Sequence, residues 1–544
     1  MTPPQTIAAL RPPARSIEQV LTSRWARLLI PSLSDLFFLA ILIWLFMSSG
    51  AAGWQGLLAD ADAGWHIRTG QYILAHHSVP HQDLYSFSKA GEPWYAWEWG
   101  SDVFYGLLHQ IAGLKGVVLA AGVLISIFAT TLIRRMIWRG VHVMVALAVA
   151  LLSVGAASIH FLARPHVFTL LLLSLSVWMI ESDRERASNR IWWLVPLTVV
   201  WTNLHGGFLA LIAVLGIAAA GTAVEALIAQ RAIAQEGWSR LWWRSAGRYG
   251  LLAAACAAAS LVNPYGWRLH THVFAYLRSD WIKSVIQEFQ SPSFRNENMM
   301  QFEGLFLVGL IAAGALLRRR RIVEAMWIVF FAHMALSSVR HVPVFVTVVG
   351  PVIAFEIASW WTSATAGAPR KSLLLILNQM AADAAPGFRR TSLWPLAVVF
   401  GLALTGAPIP WPKDFPETMF PVKLLHDHAA QILDKRVLTT DQWGDYLIYS
   451  NPNQKVFVDG RSDFYGPEVG NQYIRLVNGG TDWLELLHKY NFDSALLPDE
   501  LAIVQLLKTQ PDWHVVEDDG KRILLVRGTS SVLPTGNSRP QPRF

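Results

Sequence analysis

Long apolar runs joined by short arginine-rich connections constrain this chain more than any other feature. The first run, DLFFLAILIWLFMSS at residues 35–49, opens a series of eleven candidate spans. They fall near 30–50, 114–133, 141–159, 165–181, 190–203, 206–228, 248–263, 302–317, 321–338, 342–362 and 392–409. A helix needs about 17–25 apolar residues to cross a bilayer, so the short fifth and seventh are read as tilted, broken or misjudged at their ends. Only 15% of the 544 residues are charged, against about 25% in soluble domains. The fold expected is therefore a polytopic α-helical membrane protein with about eleven transmembrane helices. The net charge of +7 is no sign of nucleic-acid binding, because the basic residues sit in short loops between apolar runs.

Those loops alternate in character. RRMIWRG (134–140), DRERASNR (183–190), the segment 230–248, RRRR (318–321) and the segment 363–392 are rich in arginine. The intervening set is 51–113, 160–164, 204–205, 264–301 and 339–341. Arginine and lysine concentrate in cytoplasmic loops, which puts the N-terminal segment 1–29 inside and the C-terminal region outside. No apolar leader core precedes residue 28, so the first span is expected to direct insertion. The single Cys256 permits no disulfide within the chain and no cysteine-based metal site.

Beyond about residue 410 the pattern changes. The Pro-rich stretch APIPWPKDFP is followed by short β-like runs, namely RVLTT, KVFVDG, SALLP, WHVVE and RILLVRG, alternating with amphipathic segments such as WLELLHKY. Residues 410–528 are expected to form a compact α/β domain. The tail 529–544 has the composition of a disordered segment. The membrane domain, residues 30–409, carries the long first outer loop 51–113.

Unusual polar clusters fall in one set of loops. The outer set holds DADAGWHIR, HFLARPH, NLHGG, NPYGWRLHTH, IQEFQSP and VRHVP, while the inner set holds mostly arginine. Ionisable groups at membrane depth are costly and usually functional, so these clusters are expected to converge on one outward cavity. Arg164, His166, His205, Arg340 and His341 are candidate donors to a phosphate. Asp60 and Asp62 offer a general base or ligands for a divalent cation. The competing reading makes these aspartates caps of the helix WHIRTGQYILAHH, and makes His205 and Gly206–Gly207 packing devices. In the outer domain Asp459, Arg461 and Asp463 follow an apolar run, as a ligand site or as a docking turn.

The stretch from Asp60 to Gly91 resembles the first outer loop of the C-type (GT-C) membrane glycosyltransferases, oligosaccharyltransferase catalytic subunits in particular. Asp62 stands four residues before His66, and Arg68, Pro80, Asp83-Leu84-Tyr85 and Gly91 follow in the order that loop shows. The layout of many helices, a long first outer loop and a C-terminal outer domain is similar too. The chain also resembles a family of uncharacterised bacterial membrane proteins carrying ARPH, NLHGGF, NPYG and DGRSDFYG segments. The resemblance implies a GT-C-like fold in the bacterial cytoplasmic (inner) membrane, with the C-terminal domain periplasmic. It implies transfer of a sugar from a polyprenyl-phosphate-linked donor to an extracytoplasmic glycan, lipid or protein acceptor, with inversion, Asp62 as base and Asp60 beside it. His66, Arg68 and the phosphate donors above would bind substrate. The second acidic motif of oligosaccharyltransferases is missing, since the next outer loop reads IHFLARPH, and their acceptor-reading motif has only a distant echo in QWGDYLIY. A bound divalent cation is correspondingly in question. The alternative is a non-enzymatic transporter or envelope-assembly scaffold on a degenerate GT-C fold.

Overall fold

The computed structural model describes residues 28–47, 53–232, 236–366, 369, 372–404 and 410–528. The N-terminal segment up to residue 27 and the tail 529–544 lie outside the described residues. A helix stands at every predicted span: Leu33–Met47, Trp99–Trp138, Val143–Ala157, His166–Glu185, Leu194–Leu204, Phe208–Ala232, Glu236–Ala259, Glu297–Arg318, Ile322–Ser337, Val342–Thr365 and Trp394–Leu404. Among the described residues six helical stretches are long and apolar enough to cross a membrane: Trp99–Trp138, Val143–His160, His166–Glu185, Phe208–Gln230, Glu297–Arg318 and Val339–Thr365. Leu33–Met47, Ile322–Ser337 and Trp394–Leu404 are apolar but shorter. Leu194–Leu204 has 11 residues, about 16 Å of helix at 1.5 Å per residue, well short of a bilayer core. A 3₁₀ turn over Asn189–Trp193 precedes it, and extended backbone at His205 ends it.

Local chemistry sets these boundaries. The first helix is capped reciprocally: Asp35 accepts from the Ser32 N–H at 2.7 Å and Ser32 Oγ accepts from the Asp35 N–H at 3.1 Å, which satisfies amides that a helix start leaves open. The long helix Trp99–Trp138 is broken at Gly113 (φ 62°), so its outer part belongs to the first loop and its inner part to the bundle.

Within that loop the helix Asp62–His76 crosses Trp99–Trp138 backbone to backbone. A Cβ on Gly70 would sit 1.8 Å from the Asp102 carbonyl, and one on Gly106 would sit 2.7 Å from the Gly70 backbone. No side chain fits either position, and the close approach is what sets Asp102 beside His66. Ala61, at the N-cap, offers no side-chain cap. Asp60 Oδ1 instead accepts from the Asp62 N–H at 3.0 Å, so Asp60 satisfies a terminal amide while the Asp62 carboxyl is left for other work.

The C-terminal region contains a four-stranded sheet in the order β1-β2-β4-β3: β1 Val437–Leu438, β2 Ser494–Pro498, β3 Trp513–Asp518 and β4 Arg522–Arg527. β1 and β2 are parallel, and β4 is antiparallel to both β2 and β3. The segment KVFVDG, expected as a strand, is not one. It runs extended with Val456 bridged to both Val437 and Ser86, so its backbone is divided between this domain and the first loop. The expected amphipathic helix is found at Trp483–Tyr490.

This seam holds the two parts together. Val456 donates to Tyr85 O and accepts from Phe87 N, each at 2.9 Å. The helix Asp441–Ser450 lies on Asp62–His76, with Gln442 Oε1 accepting from Ala61 N–H at 3.0 Å.

Candidate active site

A cavity of about 340 Å³ opens between the bundle and the C-terminal region. Asp62, Glu98, Arg164, His166, His205, Glu288, Arg340, His341, Arg461 and Asp463 line one part of it; Leu209, Ala213, Phe330, Met334 and Val344 line the other. Every outer cluster singled out in the sequence sends at least one residue here, from seven separate stretches of chain. The arginine-rich connections meet elsewhere, around Arg139, Arg184 and Arg319–Arg321.

At the polar part the central cation is Arg164. It pairs with Asp60 Oδ2 through Nη1, with Asp62 Oδ2 at 2.5 Å through Nη2, and approaches Glu288 at 4.0 Å. The fork is thus shared between two carboxylates from the first loop. Asp62 Oδ1 and Arg164 Nε are buried without a hydrogen-bond partner. Burial raises the Asp62 carboxyl to about 7; Arg164 opposes the rise in part and Asp60 adds to it. A carboxyl poised there exchanges a proton near neutrality, as a general base must.

Asp445 reinforces this. Its carboxylate accepts from the Gly460 N–H at 3.0 and 3.1 Å, and burial, then Asp62, then Asp459 hold its own acidity well below normal. Gly460 is the hinge of the arrangement. A Cβ there would meet Asp62 Oδ1 at 2.0 Å and Asp445 Oδ2 at 2.9 Å. Glycine lets the two carboxyls close on the same point of the backbone.

Arg461 is anchored rather than free. Asp459 takes its Nε at 2.8 Å and its Nη2 at 2.6 Å, Asp83 takes Nη2 at 2.8 Å, and its guanidinium lies over Trp94 at 4.6 Å. Arg461 Nη1 is left buried and unpartnered. Asp463 accepts from His272 Nε2 at 2.9 Å, which ties the stretch 264–289 to the C-terminal region. Arg340 lies over Phe289 at 4.3 Å and donates to Tyr276 Oη at 3.2 Å. His166 Nε2 donates to the His160 carbonyl at 2.7 Å.

Four of the residues expected at the site do not line the cavity. Asp60 acts through Arg164. His66 is behind the wall, its Nδ1 2.6 Å from Asp102. Arg68 turns to the domain seam, giving Nε to Tyr449 O at 2.8 Å and Nη1 to Gln71 at 2.8 Å. Asp459 stands behind Arg461. Conversely Glu98 and Glu288 line the cavity and were not proposed as site residues. Glu288 lay within the cluster IQEFQSP; Glu98, in the aromatic loop WYAWEWG, carried no signal beyond a lone acid among tryptophans.

Among the described residues no group of three or more His, Cys, Asp or Glu is arranged to hold a metal ion. The carboxylates of Asp60 and Asp62 enclose a guanidinium where a divalent cation would need to sit, so these donors do not fit one.

No family model and no curated protein sequence matches the chain. Its structure is similar to that of the Archaeoglobus fulgidus oligosaccharyltransferase. The apo form is 11% identical, with a TM-score of 0.47 over 86% of this chain and 69% of that one. The same enzyme in complex with Zn and sulfate is 11% identical, with a TM-score of 0.48 over 86% and 68%.

Proposed function

We propose that this chain is a membrane glycosyltransferase that moves a sugar from a polyprenyl-phosphate-linked donor to an extracytoplasmic acceptor. The observation that carries the reading is the two-part cavity. Carboxylates and guanidiniums crowd one part, and an apolar wall of the Phe208–Ala232, Ile322–Ser337 and Val342–Thr365 helices forms the other. A ligand with an anionic head and an isoprenoid tail satisfies both parts at once. Asp62 is the base that takes the acceptor's proton. Arg164 and Arg340, with His166, His205 and His341, bind the phosphate, and Arg461 and Asp463 bring the C-terminal region to the sugar or acceptor. The arginine-rich loops face the cytoplasm and the cavity faces the periplasm.

For phosphate to take the Arg164 fork, Asp60 or Asp62 must let go of part of it. A carboxyl that already binds its proton near pH 7 releases a guanidinium at small cost. That same ion pair, held shut, favours a second reading, a scaffold on which Arg164 merely latches the first loop. Mass spectrometry of envelope glycans from cells with and without the gene separates them. The enzyme reading expects a sugar modification that disappears on deletion and returns with the wild-type gene; an unchanged glycan profile overturns it.

A further inference from the structure

Glu98 occupies a place in the cavity wall that the scheme above does not use. It is flanked by two imidazoles, with His66 Nε2 3.7 Å from Oε2 and His205 Nε2 3.5 Å from Oε1. The hydrogen bonds behind each ring fix which nitrogen carries a proton. His205 Nδ1 accepts from the Gly207 N–H at 3.0 Å and meets the Thr169 hydroxyl at 2.8 Å. Trp201 Nε1 already donates to that hydroxyl oxygen at 2.9 Å, which leaves the Thr169 hydrogen for His205. The His205 Nε2 therefore bears the hydrogen and points it at Glu98 Oε1.

His66 is the reverse case. Its Nδ1 donates to Asp102 at 2.6 Å, so Nε2 presents a lone pair toward Glu98 Oε2 and has no other partner. One oxygen of Glu98 thus faces a donor and the other an acceptor. A neutral carboxylic acid satisfies both; a carboxylate satisfies one.

We infer that Glu98 is a proton-carrying acid of the cavity, and that it gives its proton to the phosphate of the lipid-linked donor as the sugar departs. The inference rests on the glycosyltransferase reading. In the step, the acceptor oxygen bonds to the anomeric carbon while the bond from that carbon to the phosphate oxygen breaks, its electron pair staying on the phosphate. The acceptor's proton goes to Asp62 and the Glu98 proton to the departing phosphate. Glu98, then a carboxylate, regains a proton from water through His66. Burial raises Glu98 to about 8, with Arg164 opposing, Asp463 adding, Arg340 opposing and Asp62 adding, so the acid is loaded at neutral pH.

The test is binding of undecaprenyl phosphate to the full-length protein in detergent between pH 6 and pH 10. Wild-type affinity is expected to fall at least tenfold on the alkaline side, as an ionised Glu98 comes to face the phosphate. Glu98→Gln keeps the neutral shape and should bind within about threefold of the low-pH wild type at every pH. Glu98→Asp keeps a titrating carboxyl and should restore the alkaline loss, as should Asp62→Asn, which leaves Glu98 in place. A wild type that binds equally across the range, or a Glu98→Gln protein that keeps the alkaline loss, overturns the role of Glu98 and leaves the glycosyltransferase reading standing. A wild type that binds no undecaprenyl phosphate at any pH overturns both. Should Glu98→Gln fail to fold, the wild-type profile against that of Glu98→Asp decides: an unshifted alkaline limb overturns the proposal.

Discussion

At one end of the bundle Arg135 gives Nε and Nη2 to Glu181 at 2.5 and 2.9 Å, and Nη1 and Nη2 to the Thr347 and Val348 carbonyls at 2.8 and 3.2 Å. Arg139 adds a bond to Glu181 at 2.7 Å, and Arg184 lies within 3.6 Å of Glu225 and Glu324. At the other end Arg164 is divided among Asp60, Asp62 and Glu288, with Glu98 and Asp445 close behind. Both ends bury charge. The first gives each carboxylate an arginine, and what results is a brace between helices. The second has more carboxyls than arginines to match them, so their acidities are driven apart in one cavity, from about 2 at Glu288 through about 7 at Asp62 to about 8 at Glu98. For Glu288 burial acts upward, but His160, Arg164 and Arg340 together outweigh it. Titratable neighbours pushed in opposite directions are how a site assigns acid and base roles. The brace favours stability, and the cavity is built for proton traffic.

That contrast can be broken by mutation, beginning with the brace. Glu181→Ala leaves two buried arginines without their acid, and is expected to cost about 3–5 kcal/mol of stability, read as a large drop in melting temperature. An equal drop from Glu288→Ala, in the cavity, would erase the distinction between the two ends. Gly460→Ala comes next. Its new methyl group collides with Asp62 and Asp445, costing about 1–3 kcal/mol by overpacking and displacing the base, so transfer should fail in protein that still inserts. Arg164→Lys keeps the charge and loses the fork; the loss of one charged hydrogen bond, about 1.5–3 kcal/mol, should weaken undecaprenyl phosphate binding by at least tenfold. The smallest effect is expected at His272→Ala, whose pairing with Asp463 is partly exposed and worth about 1 kcal/mol or less.

The helices were legible because crossing a bilayer demands apolar length, and that demand is written residue by residue. The alternation of arginine loops likewise separated the two ends before any coordinates. Arg164, His205 and Arg340 could be marked as site residues because a polar motif at the end of an apolar run has few other reasons to exist. Glu98 could not, since its character comes from His66, His205 and Asp102, which the chain brings together only through the Gly70–Gly106 crossing. Arg68 misled for the same reason: its partner, the Tyr449 carbonyl, lies 381 residues away. KVFVDG has the composition of a strand, but its edges are taken by Ser86 and Val437, and local pattern carries no information about that competition.

Asp62→Asn tests the central claim most directly. An amide cannot take the acceptor's proton, so transfer should fall by about 10²–10⁴-fold, and the pH profile should lose the wild-type rise through about 7 that the Asp62 carboxyl imposes. Stability should move the other way. The folded protein holds the Asp62 proton up to about 7 while the unfolded chain releases it near 3.8, so the wild type loses stability as pH rises across that window. The Asn variant lacks this loss and should melt no lower than wild type at pH 8. A folded, inserted Asp62→Asn protein that restores the full glycan profile of a deletion strain would contradict the account, and would leave Asp62 as a latch for Arg164.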